Sequence, residues 1–199
     1  MKLTREGVKI AARMAHMYPD KFNMREADLS GLDLSELDLS GIDLSRANME
    51  KTNLAGANLR GANMAGAYLD NAKLNGADME KTNLAGAHAP WAYMAGAFLS
   101  SANLSRINLA GANLSWAYLD EAKLGGANME KAIVRSASMR YADMSGAILS
   151  GATLEDATLI GADLTNADLG GVTLRGAKLE KAKTNDAVAL AGALGVLVE

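Results

Sequence analysis

The stretch Ala57-Asn58-Leu59-Arg60-Gly61-Ala62-Asn63-Met64-Ala65-Gly66 says the same thing twice in ten residues. An alanine is followed by an asparagine, a large aliphatic residue, a variable residue and a glycine. Outward from here the register holds in both directions. Every fifth residue from Met24 to Leu179 is Leu, Met or Val, with Ala89 the one small residue, and the 32 pentads contain no insertion or deletion. Two residues before each centre stands Ala in most pentads, replaced by Leu32, Leu37, Ile42, Thr52, Thr82, Ile107 and Val172 in others. Between the two stands mostly Asn or Asp. Two residues after the centre Gly is frequent, as at Gly31, Gly41, Gly56, Gly61 and Gly66.

A period of five fits neither regular element. In an α-helix successive pentads advance about 140° net, so the Leu and Ala positions would smear around the cylinder. In a flat strand a period of two does not divide five, so the core set would change sides at each repeat. A short extended piece followed by a corner resolves both. Ala and Leu, two apart, point to one side and the Asn or Asp between them points to the other. The next two residues turn the chain, and a Gly in the second of them suits a type II turn, which needs positive φ there. Identical corners bring the chain back above its start, and stacked coils then pair like parallel strands at about 4.8 Å.

The motif Ala-(Asn/Asp)-Leu-x-x, as in Ala57-Asn58-Leu59-Arg60-Gly61 and Ala162-Asp163-Leu164-Thr165-Asn166, resembles the pentapeptide-repeat family over residues 22–181. The resemblance implies an all-β fold, a right-handed quadrilateral parallel β-helix. Four pentads then make a coil of 20 residues, and the chain holds about eight coils in a rod of roughly 38 Å.

Composition narrows the chemistry. Aromatic residues are only 5% while Ala, Leu and Met abound, which calls for a narrow and uniform interior. With Gly at 20 residues and Pro at 2, the chain does not read as a disordered low-complexity sequence. A net charge of −3 lacks the basic excess of a nucleic-acid-binding surface, so direct nucleic-acid binding is not expected. There is no cysteine, hence no disulfide or thiolate metal site. No apolar run reaches the length of a membrane span, and residues 1–20, with Lys2, Arg5, Lys9 and Arg13, do not read as a secretory signal. A cytoplasmic location is the default expectation.

Three parts are expected: an N-terminal helical cap (1–21), the repeat body (22–183) and a C-terminal cap or dimerisation tail (184–199). For the cap, Thr4 is a helix N-cap, Val8, Ala11, Ala12, Ala15 and Met14 form an apolar stripe, and Pro19 stops the helix. The alternative is a membrane-surface helix, with the basic residues on its other side. The tail starts a helix at Thr184-Asn185-Asp186 and is strongly apolar; it either covers the last coil or makes a homodimer contact through Leu190, Leu194, Val196, Leu197 and Val198.

With 20 residues per coil, residues n and n+20 stack. Tyr68 then lies under His88, Lys73 under Tyr93 and Phe98 under Tyr118, while Trp91, Trp116 and Tyr141 sit at corners. Ile133 and Ile148 also point outward. Neighbouring aromatics on a sheet face can be simple stacking pairs, but Trp and Tyr are also typical interface anchors. The expected binding surface for a protein partner is Tyr68, His88, Trp91, Tyr93, Phe98, Trp116, Tyr118, Ile133 and Ile148. The segment His88-Ala89-Pro90-Trp91 departs most from the pattern. Ala89 in a centre slot leaves a void that Trp91 folds back to fill, or the coil bulges, or a kink there serves recognition.

Asp28, Asp33, Asp38 and Asp43, with Glu26 and Glu36, make an acidic collar on the first coil. Some members of the family shield DNA topoisomerases from quinolones by acidic rods that resemble duplex DNA. That needs negative charge running lengthwise, whereas the lengthwise series here are mixed, as in Arg60, Glu80, Ser100, Asp120, Arg140. Lys51, Asn71, Trp91, Gly111, Lys131 is another. Catalysis finds no footing: His16 and His88 are the only histidines, and a convex rod offers no water-excluding pocket. No cofactor is implied, and Asn stacked above Asp weakens any cation site. The leading expectation is a non-enzymatic protein-interaction scaffold. The alternatives are a DNA-mimicking topoisomerase modulator and a structural component docked end-on in a larger assembly.

Overall fold

The computed structural model describes residues 3–17 and 23–185. Each pentad of the body forms one short extended segment and one corner. The corner is a two-residue turn closed by a hydrogen bond from the next Ala-position amide to the centre carbonyl, as from Leu32 N to Leu29 O at 3.1 Å. All 32 second-corner positions, from Glu26 to Lys181, have positive φ between 55° and 74°, and no first-corner residue does. This is the type II arrangement the glycines imply. Seventeen of those positions carry a side chain nonetheless, so the stacked coils impose the conformation even on residues that disfavour it.

Parallel bridges run without a break from Asp28↔Asn48 to Asp163↔Lys183, always 20 residues apart. Twenty residues are four pentads, and the section is therefore four-sided; the fold is the right-handed quadrilateral β-helix expected from the sequence. Coil 1 spans residues 24–43 and coil 8 spans 164–183. The outward residues form four columns, here called side 1 (Asp28 to Asp168), side 2 (Asp33 to Thr173), side 3 (Asp38 to Lys178) and side 4 (Asp43 to Lys183). Centre and Ala-position side chains fill the interior, almost all with no solvent exposure between Leu44 and Ala162.

The five backbone amides of a pentad each have a destination. The outward amide donates to the coil before (Asn48 N to Ala27 O, 2.9 Å). The centre and second-corner amides donate to the coil after (Leu29 N to Asn48 O and Gly31 N to Glu50 O, both 2.8 Å). The Ala-position amide closes the turn. Only the first-corner amide is left, and the outward Asn or Asp takes it: Ser30 N donates to Asp28 Oδ1 at 3.1 Å, Arg60 N to Asn58 Oδ1 at 3.1 Å. Because buried and half-buried backbone donors must be satisfied, the Asn or Asp of the motif is a corner cap. Outward position alone, which is all the spacing reveals, does not explain it.

Helix α1, Arg5–Met17, closes the N-terminal end. Thr4 Oγ1 accepts the Gly7 amide at 3.1 Å, the expected N-cap. Val8, Ala12 and Ala15 are buried in the same core cluster as the coils, and Arg5 reaches the carbonyls of Asp33 (2.6 Å) and Ser35 (2.8 Å) on coil 1. The helix thus lies on the rod's end with Val8, Ala12 and Ala15 inward. Residues 186–199, which hold the proposed tail contacts Leu190, Leu194, Val196, Leu197 and Val198, fall outside the described residues.

Candidate protein-binding site: an uncharged aromatic belt

Between Thr82 and Ser105 the chain has no Asp, Glu, Lys or Arg, although 22% of the whole sequence is charged. These 24 residues make one full turn of the rod at coil 4. Within it His88 faces out on side 1, Tyr93 on side 2 and Phe98 on side 3, with Trp91 at the corner between sides 1 and 2. Adjacent coils widen the belt. Tyr68 stacks against His88 with centroids 5.7 Å apart, and Phe98 lies parallel to Tyr118 at 5.2 Å and 3° between planes. Trp116 stands at the corner between sides 2 and 3, Ile133 follows on side 2 and Ile148 on side 1. Every one of the large hydrophobic residues of the expected surface is exposed; Trp116, at 65%, is the most open of them.

The structure separates the residues into three groups. Tyr68, His88 and, farther along, Ile148 share side 1; Tyr93 and Ile133 share side 2; Phe98 and Tyr118 share side 3. The two tryptophans sit on the edges between them. One signal in the sequence went unread: Trp91-Ala92-Tyr93 recurs as Trp116-Ala117-Tyr118, and 25 residues are one coil plus one side. The belt therefore climbs diagonally, and Tyr141, a further 25 residues after Trp116, continues it onto the corner between sides 3 and 4.

The expectations for His88-Ala89-Pro90-Trp91 need correction. There is neither a bulge nor a kink. The Ala89 amide bonds to Asn108 O at 2.8 Å, the Trp91 amide to Ala110 O at 2.9 Å, and Ala92 closes the turn on Ala89 O at 3.3 Å. Pro90 fits because the first corner position of this turn favours proline. It also removes the one amide that His88, unlike Asn or Asp, does not cap. Trp91 does not fold into the core; it remains 59% exposed. Its ring leans along the rod into the space where Gly111, one coil on, would carry a Cβ, and Tyr141 does the same over Gly161.

Away from the belt the polar surface is structurally occupied. On side 4 the amides of Asn63, Asn83 and Asn103 each donate to the side chain below, at 3.1 Å, a ladder that ends on the Asp43 carboxylate. In the collar, Asn53 and Asn58 donate to Asp33 and Asp38. The Ser35 hydroxyl and amide, together with Arg5, hold Asp33 below the usual carboxylate range, and Thr165 and Lys183 do the same for Asp163. Among the described residues no group of His, Asp or Glu is gathered in a way that could hold a metal ion. Nor is any helix of the described residues long and apolar enough to cross a membrane.

The family model for pentapeptide repeats matches eight copies, over residues 23–61, 62–100, 97–135, 117–156 and 152–183. The chain belongs to the pentapeptide-repeat family. Among solved structures it is similar to HetL from the cyanobacterium Nostoc sp. strain PCC 7120, a pentapeptide-repeat protein involved in heterocyst differentiation regulation. The two are 26% identical over 92% of each chain, with a TM-score of 0.60. It is also similar to Rfr23 from the cyanobacterium Cyanothece 51142 (34% identity, 47% of this chain and 64% of that one, TM-score 0.46). A third is QnrB1, a plasmid-mediated fluoroquinolone resistance protein (21% identity, 86% and 98% of the chains, TM-score 0.48). No curated protein matches the chain. The pentapeptide-repeat coils account for the core and the corners in full; they do not call for the belt.

Proposed function

We propose that this pentapeptide-repeat protein is a non-enzymatic scaffold that binds another protein through the aromatic belt. The supporting observation is that the belt is built against the preferences of its own fold. Trp91 and Trp116 occupy positive-φ corners, where a side chain costs roughly 1 kcal/mol relative to Gly. Tyr68, Tyr93, Phe98 and Tyr118 occupy positions where Asn or Asp would cap the next corner, a hydrogen bond of about 0.5–1.5 kcal/mol. Residues that the architecture disfavours, gathered in and beside the one coil without charge, match the composition of an interface centre, which is poor in charge and rich in Trp and Tyr. HetL, similar along nearly its whole length, is involved in heterocyst differentiation regulation, and that likeness supports a regulatory role here.

The test uses Trp91→Gly and Trp116→Gly. Because Gly adopts positive φ without strain and already stands at 15 of the 32 corners of this kind, each variant should keep its stability within about 1 kcal/mol of the parent or gain. Capture of the protein that co-purifies from the native source should fall at least tenfold in Trp91→Gly. Capture at the parent level, or a clear loss of stability with unchanged capture, makes the tryptophans structural and sinks the reading. The DNA-mimic alternative has weaker support, since the lengthwise series are mixed in charge and Arg60 neutralises Asp78 (3.3 Å) and Glu80 (2.6 Å). A gyrase supercoiling assay without any effect at micromolar protein eliminates it.

A further inference from the structure

Side 3 is self-complementary when turned end for end. A two-fold axis crossing the rod between coils 4 and 5 sets each coil against the one that mirrors it: 4 against 5, 3 against 6, 2 against 7, 1 against 8. On side 3 this brings Phe98 opposite Tyr118, Asp78 opposite Ser138, Asn58 opposite Thr158 and Asp38 opposite Lys178. The flanking corners follow the same rule. Glu36 meets the level of Arg175 on the corner toward side 2, and Glu80 meets that of Arg140 on the corner toward side 4. At the centre Trp116, the most exposed large hydrophobic residue among the described residues, comes opposite Gly96, around which a Cβ would touch nothing within 4 Å. A knob therefore faces an open notch, and by symmetry it does so twice.

The other sides lack this combination. On side 1 the same operation sets Asp28 against Asp168, and on side 2 Asp33 against Thr173. Side 4 pairs Asp43 with Lys183, but its centre is the asparagine ladder with no exposed hydrophobic residue. We infer that side 3 is the interface of an antiparallel, side-by-side homodimer, with its two-fold axis at Phe98 and Tyr118. This rests on reading the belt as an interface and divides it: side 3 goes to a second copy, while Tyr68, His88, Trp91 and Tyr93 on sides 1 and 2 remain open to the other protein. Eight coils at about 4.8 Å and a five-residue width of about 16 Å give a strip of roughly 600 Å² per copy. That lies at the lower edge of specific interfaces, so the dimer is expected to be concentration-dependent.

Sedimentation equilibrium of the full chain from about 1 to about 100 µM should show a monomer–dimer equilibrium, and the exposed ion pairs should make it weaker in high salt. Glu36→Arg and Arg175→Glu each place like charges together and should weaken the dimer at least tenfold. The double variant restores the pairing and should recover most of the loss. Both changes introduce residue types that the same corners already hold, as Arg46 and Glu155 show, so circular dichroism should be unchanged. Phe98→Lys should abolish the dimer. A monomer at every concentration overturns the inference. So does a dimer indifferent to Phe98→Lys, or a double variant no better than the singles. Partner capture lost in Trp91→Gly but kept in Glu36→Arg separates the two interfaces; a monomeric rod that still needs Trp91 for capture overturns the dimer and leaves the belt reading intact.

Discussion

At the level of single residues this protein shows what an outward position is for. Asn and Asp are there because one amide in every five has no partner in the coil, and Oδ1 two residues earlier reaches it. The aromatic residues of the belt abandon that bond. Tyr93, which has no aromatic neighbour in its column, is the cleanest case: Tyr93→Asn should raise stability by roughly 0.5–1 kcal/mol in chemical denaturation while weakening partner capture. A loss of stability would show that the Tyr93 ring packs more usefully than the corner bond it displaces. Glycines at the second corner separate in the same way. Gly96 and Gly111 both have positive φ, but only Gly111 has a ring lying where its Cβ would be. Gly96→Ala should cost about 1 kcal/mol from backbone strain alone, and Gly111→Ala more, since Trp91 must swing away. Equal losses would mean that the Trp91 ring is not held there.

The elements are a helix and a stack of near-identical coils, and each depends on its neighbours. Solenoid coils touch only adjacent coils, so damage at one end should stay local. Val8 anchors α1 on coil 1. Val8→Asp buries a charge with no partner and should release the helix, with a loss of up to about 3 kcal/mol. Amide hydrogen exchange should then speed up in coil 1, where Arg5 loses the carbonyls of Asp33 and Ser35, and stay slow in coils 4 to 6. Faster exchange throughout the rod would mean that the cap supports the whole stack. The helix was legible in the sequence from Thr4, the stripe and Pro19. That the helix docks on the rod was not, because an amphipathic stripe of this length fits a coil end and a lipid surface equally well until Arg5 and Val8 have a place to go.

For the molecule as a whole, acid is the informative stress. Asp33 in coil 1 and Asp163 in coil 7 have carboxyl groups held below their ordinary value, chiefly by Ser35 and Thr165 hydroxyls. A lowered folded pKa means that the stabilisation is complete above the unfolded value of 3.8 and is lost as pH falls through the lower folded value. Thermal melting followed by circular dichroism should be flat between about pH 5 and 7 and decline below about pH 4. Asp33→Asn and Asp163→Asn, which keep an oxygen for the corner amide, should reduce that decline. An unchanged acid limb would assign it to other carboxylates.

The five-residue step by itself determined that the chain coils through equal corners, because only these let Leu and Ala meet inside while Gly turns the chain; the right hand and the four sides came from the family resemblance. It also determined the stacking n to n+20, once four sides were taken from the family resemblance, and with it the columns that bring Tyr68 to His88 and Phe98 to Tyr118. Only the tertiary structure decided what the corners tolerate. Ala89-Pro90-Trp91 read as a break in the pattern, yet the coil stays regular there, since hydrogen bonds from the coils on both sides hold a backbone whose own residues would not have chosen it. Side-chain direction was likewise beyond the pattern: whether Trp91 turned into the core or lay along the rod depended on a glycine 20 residues away, a contact that exists only after the chain has come full circle.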